Sequence, residues 1–118
     1  INKDIAIYGD GDELRDYLYE SDLVFAINKF IKQGNSGIYN ISSGDPLSFT
    51  QIIESLKKYT SKKIRTKTIK RTKPKIDQKI DSKKLTKEFK EISFTPIKKG
   101  IQETFESYKL LLKGNEIE

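Results

Sequence analysis

Apolar residues recur along this chain in two rhythms, and the switches between them predict its elements. Ile5-Ala6-Ile7-Tyr8, stopped by Gly9-Asp10-Gly11-Asp12, reads as a short strand and a turn. Leu23, Val24, Ala26, Ile27, Phe30 and Ile31 then follow Ser21 and Asp22, two good N-cap types, at helical spacing. The expectation is an amphipathic helix over 21–33, ended by Gly34-Asn35-Ser36-Gly37. Ile38-Tyr39-Asn40-Ile41 reads as a second short strand, closed by Ser42-Ser43-Gly44-Asp45-Pro46.

Ser48-Phe49-Thr50-Gln51 has the form of a capping box, in which each side chain satisfies a backbone amide of the other residue. Ile52, Ile53, Leu56 and Tyr59 supply the inner face of the helix it starts. Residues 64–69 alternate apolar or threonine with basic residues, as a half-exposed strand does. Residues 70–80 contain Pro74 and show no period, which reads as a loop. Asp81-Ser82 caps a short helix carrying Leu85 and Phe89. Thr95-Pro96 places an N-cap before a proline at the first helical position, and Ile97, Ile101, Thr104, Phe105, Tyr108 and Leu112 define a last helix. The tail 114–118 is expected to fray, leaving 1–113 as the domain. Strands that alternate with helices give an α/β fold: a small mixed layer domain of about three short strands and four helices. Its core is thin, and such a piece sits most naturally against a larger neighbour.

Composition narrows the chemistry. The chain has 118 residues, which suits one domain, and it contains neither cysteine nor histidine. Disulfides, thiol nucleophiles and a Ser-His pair are therefore excluded, together with the commonest metal ligand. No apolar run reaches membrane-spanning length and no secretory signal is seen, so no membrane partner is expected. The lack of any methionine, at position 1 included, is expected of a piece excised from a longer protein.

Charge is segregated. Residues 1–56 carry four basic and nine acidic groups, whereas residues 57–90 carry fifteen basic and three acidic. A basic centre suits an anionic partner, although most such lysines simply face water. Arginine is more informative because there are only three, Arg15, Arg65 and Arg71, and its planar fork fits phosphate and carboxylate. Arg15 follows the Gly-rich turn and precedes Asp16, an acid that could orient it; a surface arginine in a local ion pair fits the same spacing. Asp10-Gly11-Asp12-Glu13 lacks the spacing of an EF-hand loop. Tyr59-Thr60-Ser61-Lys62-Lys63 has the Tyr-x-x-x-Lys spacing of short-chain dehydrogenase chemistry, but it falls in a helix's last turn and reads as a core-edge tyrosine.

Longer motifs carry a resemblance. The segment Gly9-Asp10-Gly11-Asp12-Glu13-Leu14-Arg15-Asp16-Tyr17-Leu18-Tyr19, running on to Asp22-Leu23, resembles the G-D-G-x-x-x-R-D-[YF]-[IL]-[YH]-V-x-D-[LV] segment of the extended short-chain dehydrogenase/reductases, the nucleotide-sugar epimerases and dehydratases. Gly37-Ile38-Tyr39-Asn40-Ile41-Ser42-Ser43-Gly44 is similar to their G-x-Y-N-[IL]-G-S-G. Arg71, ten residues before Asp81-Ser82-Lys83, is similar to their R-P-x-D-x(6)-D-x-[ST]-K, with Thr72 and Pro74 in place of Pro and Asp. Gly100-Ile101 and Thr104 resemble the final E-E-G-[IL]-x-x-T helix.

The resemblance spans nearly the whole chain and implies the C-terminal substrate-binding lobe of such an enzyme, without its Rossmann lobe. Arg15 and Arg71 are then expected to bind the diphosphate of a nucleotide sugar, with Tyr8 beside the nucleoside. Asp16 would orient Arg15, and Asn40 would hydrogen-bond at a turn or strand end. NAD or NADP, the catalytic Tyr-x-x-x-Lys and homodimer contacts would belong to an upstream Rossmann domain, so this fragment binds no cofactor and is inert alone. The whole enzyme would serve surface polysaccharide synthesis in the cytoplasm. A small basic nucleic-acid-binding module built on 57–90 remains the alternative. It is disfavoured because only Tyr59 and Phe89 could stack on bases there. A domain that merely covers a partner is the third.

Overall fold

The computed structural model describes residues 4–33 and 36–114. Its first strand, β1 (Ile5–Tyr8), pairs in parallel with β4 (Thr66–Ile69), with Ile5 opposite Thr66 and Tyr8 opposite Ile69. A second, antiparallel pair joins β2 (Leu14–Arg15) to β3 (Leu47–Ser48). Among the described residues four helices accompany the strands: α1 (Glu20–Gln33), α2 (Phe49–Lys57), α3 (Lys83–Glu88) and α4 (Ile97–Gly114). The small mixed α/β class and the four helices are as the periodicity predicts.

Several elements differ in place. Residues 38–41 form no strand; they lie beside α3, with the Asn40 side chain donating to the Asp81 carbonyl at 3.1 Å and Lys84 donating to the Ile38 carbonyl at 2.9 Å. The strands at 14–15 and 47–48 were too short to leave a periodic signal. Helix α1 starts one residue early, because the Tyr19 carbonyl accepts from the amides of Asp22 and Leu23. Asp22 is therefore free to tie the first helix to the last: its carboxylate accepts from the Thr95 amide at 2.7 Å and hydroxyl at 2.8 Å. The first helical bonds of α4 close on the Pro96 carbonyl, so the helix opens one residue later than a Thr95 cap with Pro96 at the first position would start it. The capping box at Ser48 forms as expected, with both reciprocal bonds present. The expected fraying falls mostly on 115–118, outside the described residues.

The core is small. Ala26, Leu85, Phe89 and Ile92 are buried together, flanked by Phe30, Tyr39, Ile41 and Phe94. The Phe30 ring lies 4.9 Å from Tyr39 and 4.8 Å from Phe89, within the favourable range for tilted aromatic pairs. Most of the apolar face of α1 stays uncovered, with Ile31 at 74% exposure. The radius of gyration, 17.4 Å, exceeds the roughly 13 Å of a compact domain of this length, so the chain is a flat layer rather than a globule.

Stability should therefore concentrate in few side chains. Phe89→Ala is expected to cost about 3–5 kcal/mol, whereas Ile31→Ala should stay within about 0.5 kcal/mol. Urea unfolding followed by circular dichroism measures both; equal losses would contradict this core.

Candidate functional site

The turn after β1 is built on two glycines. Gly9 and Gly11 have φ of 68° and 72°, the left-handed region that side chains disfavour. A Cβ on Gly9 would stand 2.7 Å from Nε of Arg71, so glycine lets that guanidinium lie against the turn's backbone. A Cβ on Gly11 would stand 2.7 Å from Thr50 Oγ1, at the first turn of α2. The Thr50 amide donates to the Gly11 carbonyl at 3.0 Å, which pins α2 to the turn.

Past the turn, the chain is sewn to the loop that follows β4. The Leu14 amide donates to Asp77 Oδ1 at 2.9 Å, and the Gln78 amide donates to the Leu14 carbonyl at 3.0 Å. Lys75 Nζ donates to Asp12 at 2.8 Å and lies 3.7 Å from Asp77. Arg15 Nη1 donates to the carbonyls of Ile76 at 2.5 Å and Leu14 at 2.9 Å, and its guanidinium carbon lies 5.9 Å from the centre of the Phe49 ring. Arg71 Nη2 approaches the Tyr8 carbonyl at 3.5 Å.

Between the two arginines lies Glu13. Its Oε1 accepts from Arg15 Nη2 and its Oε2 from Arg71 Nη1 at 2.5 Å; the Ile76 amide adds a third bond at 3.3 Å. Foremost the Arg15 hydrogen bond, against some desolvation and with help from Arg71, holds the Glu13 carboxyl below its ordinary value of 4.5. Lys75 does the same for Asp12. Arg15, Arg71, Glu13 and Tyr8 line one cavity of about 440 Å³ together with Thr72, Lys73, Pro74 and Ile76. A second cavity of about 430 Å³ shares Tyr8, Glu13 and Arg15 and continues over the apolar side chains of Phe49, Ile52 and Leu56. The Tyr8 side chain, 60% exposed, lies at the junction of the two.

Arg15, Arg71 and Tyr8 thus come together although Arg71 is remote in sequence. Asp16 does not orient Arg15. Successive strand residues point to opposite faces, and Asp16 turns away to accept from the Ser43 amide at 2.8 Å, the Ser43 hydroxyl at 2.9 Å and the Gly44 amide at 2.9 Å. The same period of two puts Glu13 on the face of Arg15, a signal present in the sequence. Tyr59 sits past the end of α2, half-buried, with its ring 6.5 Å from Phe105. Among the described residues no acidic cluster could hold a metal ion, and no helix is long and apolar enough to cross a membrane.

Two guanidiniums with Glu13 between them thus line one concavity beside an apolar cleft, in a small mixed α/β layer. The chain belongs to the GDP-mannose 4,6 dehydratase family, whose sequence model matches residues 1–102. An uncharacterized protein of Methanocaldococcus jannaschii is 34% identical over 68 residues, which are 57% of this chain and 21% of that protein. Among solved structures, the chain is similar to a dTDP-glucose 4,6-dehydratase of Bacillus anthracis in complex with NAD, at 27% identity and a TM-score of 0.74. That match covers 91% of this chain and 35% of the dehydratase. A UDP-glucose 4-epimerase of Thermotoga maritima with UDP-glucose is 25% identical, with a TM-score of 0.78, 94% of this chain and 36% of the epimerase being covered. At 23% identity, a UDP-glucuronic acid 4-epimerase of Bacillus cereus shares the fold, with a TM-score of 0.80 over 93% of this chain and 36% of the epimerase. The resemblance to extended short-chain dehydrogenase/reductases, and to their C-terminal part, is thereby borne out. The chain spans about a third of the length of these solved relatives.

Because folding lowers the Glu13 and Asp12 carboxyl values, their contribution to stability is complete above the unfolded carboxylate range. It is lost as pH falls through the lower folded values. Denaturant midpoints should hold level from pH 7 to about 5 and decline below about 4, near the unfolded carboxylate values. A midpoint that rises on acidification would contradict the arrangement.

Proposed function

We propose that this chain is the nucleotide-sugar-binding lobe of an NAD- or NADP-dependent epimerase or dehydratase, and that Arg15 and Arg71 clamp the diphosphate. The observation that supports this most strongly is their shared cavity: two forks from separate parts of the chain, Arg15 29% and Arg71 20% exposed, face one concavity. A nucleotide sugar carries a diphosphate between its base and the reacting hexose. Charge-assisted, bidentate contacts to that group supply binding energy remote from the chemistry, which positions the sugar. Tyr8, at the junction with the apolar cleft, lines the nucleoside side.

In this reading the hydride chemistry belongs to a Rossmann domain outside this chain. The whole enzyme oxidises the sugar transiently at C4, epimerises or dehydrates it, and returns the hydride. It works in the cytoplasm, as a homodimer paired through that other domain, in surface polysaccharide synthesis. The chain by itself binds no cofactor and turns nothing over, since it carries neither a glycine-rich cofactor turn nor a helical Tyr-x-x-x-Lys.

Calorimetric titration of the chain with UDP, GDP, CDP and dTDP tests the reading. Arg15→Ala and Arg71→Ala are each expected to cost about 1.5–3 kcal/mol, roughly tenfold or more in Kd. Arg15→Lys, which keeps the charge and loses the fork, should also weaken binding. Unchanged affinity in all three variants, or salt-steep binding of arbitrary DNA with no response to nucleoside diphosphates, would overturn it.

A further inference from the structure

We propose that Glu13 is a displaceable internal anion that fills the two-arginine clamp in the free chain and selects a diphosphate, able to bridge both guanidiniums, over a single phosphate. This rests on the diphosphate-clamp reading of the same cavity.

The geometry separates two tasks that one ion pair usually combines. Backbone carbonyls aim the arginines: Leu14 and Ile76 accept from Arg15, and the Tyr8 carbonyl lies near Arg71, whose guanidinium rests against Gly9. These acceptors are neutral and leave both cationic charges in place. Neutralisation comes mainly from Glu13, whose two oxygens are divided between the two forks. Asp12, the other nearby acid, is engaged by Lys75 at 2.8 Å and stands 3.8 Å from Arg71. The Glu13 side chain is 12% exposed, less than either arginine, so it sits deepest among the three.

A carboxylate presents the same pair of acceptor oxygens to a guanidinium that a phosphoryl group does. Being tethered, Glu13 competes at the high effective concentration of an intramolecular ligand. A single phosphate that displaces it brings one phosphoryl group to the two forks and gains less than a group that can place one on each. A diphosphate brings two phosphoryl groups, meets both forks, and adds charge that Glu13 lacks. The displaced carboxylate retains the Ile76 amide, which lies 3.3 Å from Oε1. Removing the charge of Glu13 should therefore help both anions and help the smaller one more.

The test is NMR titration of the full chain with inorganic pyrophosphate and, separately, inorganic phosphate at fixed low ionic strength. Glu13→Gln is expected to tighten pyrophosphate about fivefold, the upper end of what a part-exposed ion pair contributes. Phosphate should tighten by a larger factor, so that discrimination between the two anions shrinks. Arg71→Ala in the Glu13→Gln background should remove both gains. Glu13→Asp, which keeps the charge and draws it back by one methylene, should shift both affinities in the same direction by less; it carries the test if the glutamine variant does not fold. Arginine-dependent pyrophosphate binding that is unchanged or weaker in these variants would overturn the role of Glu13 and leave the clamp standing. Binding that is absent, or indifferent to Arg71, in both the parent chain and its Glu13 variants would overturn the two together.

Discussion

The parallel pairing of β1 with β4 is the constraint on which this site depends. Parallel strands leave a sheet at the same end, so whatever follows each of them must emerge side by side. The register sets Tyr8 against Ile69, and the Gly9 amide extends the ladder to the Ile69 carbonyl at 2.8 Å. Arg71, two residues on, then has no route except past the Gly9 turn, where the missing side chain leaves room for its guanidinium. An antiparallel pairing of the same residues would have sent the two segments to opposite ends. Two four-residue strands therefore do what sequence distance forbids: they bring residue 71 to residue 13.

The rest of the structure stiffens that meeting. The short β2–β3 pair fixes the direction of Arg15, and the capping box at Ser48 starts α2 beside it. Asp16 and Asp22, each accepting several hydrogen bonds, hold the 43–44 turn and the start of α4. No single ion pair in the cluster is buried enough to contribute much alone. Their effect is collective, because Glu13, Asp12 and Lys75 tie the same loop to the same turn. The aromatic core around Phe89 lies elsewhere in the layer and keeps the chain folded.

Much of this was legible in the sequence, for reasons particular elements make plain. Helices α1, α2 and α4 showed because each carries several turns of periodic apolar residues or an explicit cap, as at Ser48; six-residue α3 showed through Leu85 and Phe89, and of the expected Asp81-Ser82 cap only Asp81 accepts an amide, that of Lys83 at 2.7 Å. The strands at 14–15 and 47–48 did not show, since two residues define no period. The run 38–41 has strand composition without a strand partner among the described residues, and Ile38 is 89% exposed; composition reports what a segment suits, and pairing needs a neighbour. Arg15 and Arg71 were legible as rare forks in a lysine-rich chain. Nearness in sequence picks Asp16 as the acid paired with Arg15, whereas the structure pairs it with Glu13, two residues away on the same side of the chain. The loop 70–80 read as patternless because its order comes from side chains on another segment, which no local window contains.

Guanidinium-detected NMR during titration with UDP tests the central claim most directly. The account requires the Nε–Hε resonances of Arg15 and Arg71 to shift together along one binding curve, while that of Arg65, beside Asp4 at 2.9 Å, stays put. Movement confined to one of the first two, or a response centred on Arg65 and the lysines around it, would contradict it.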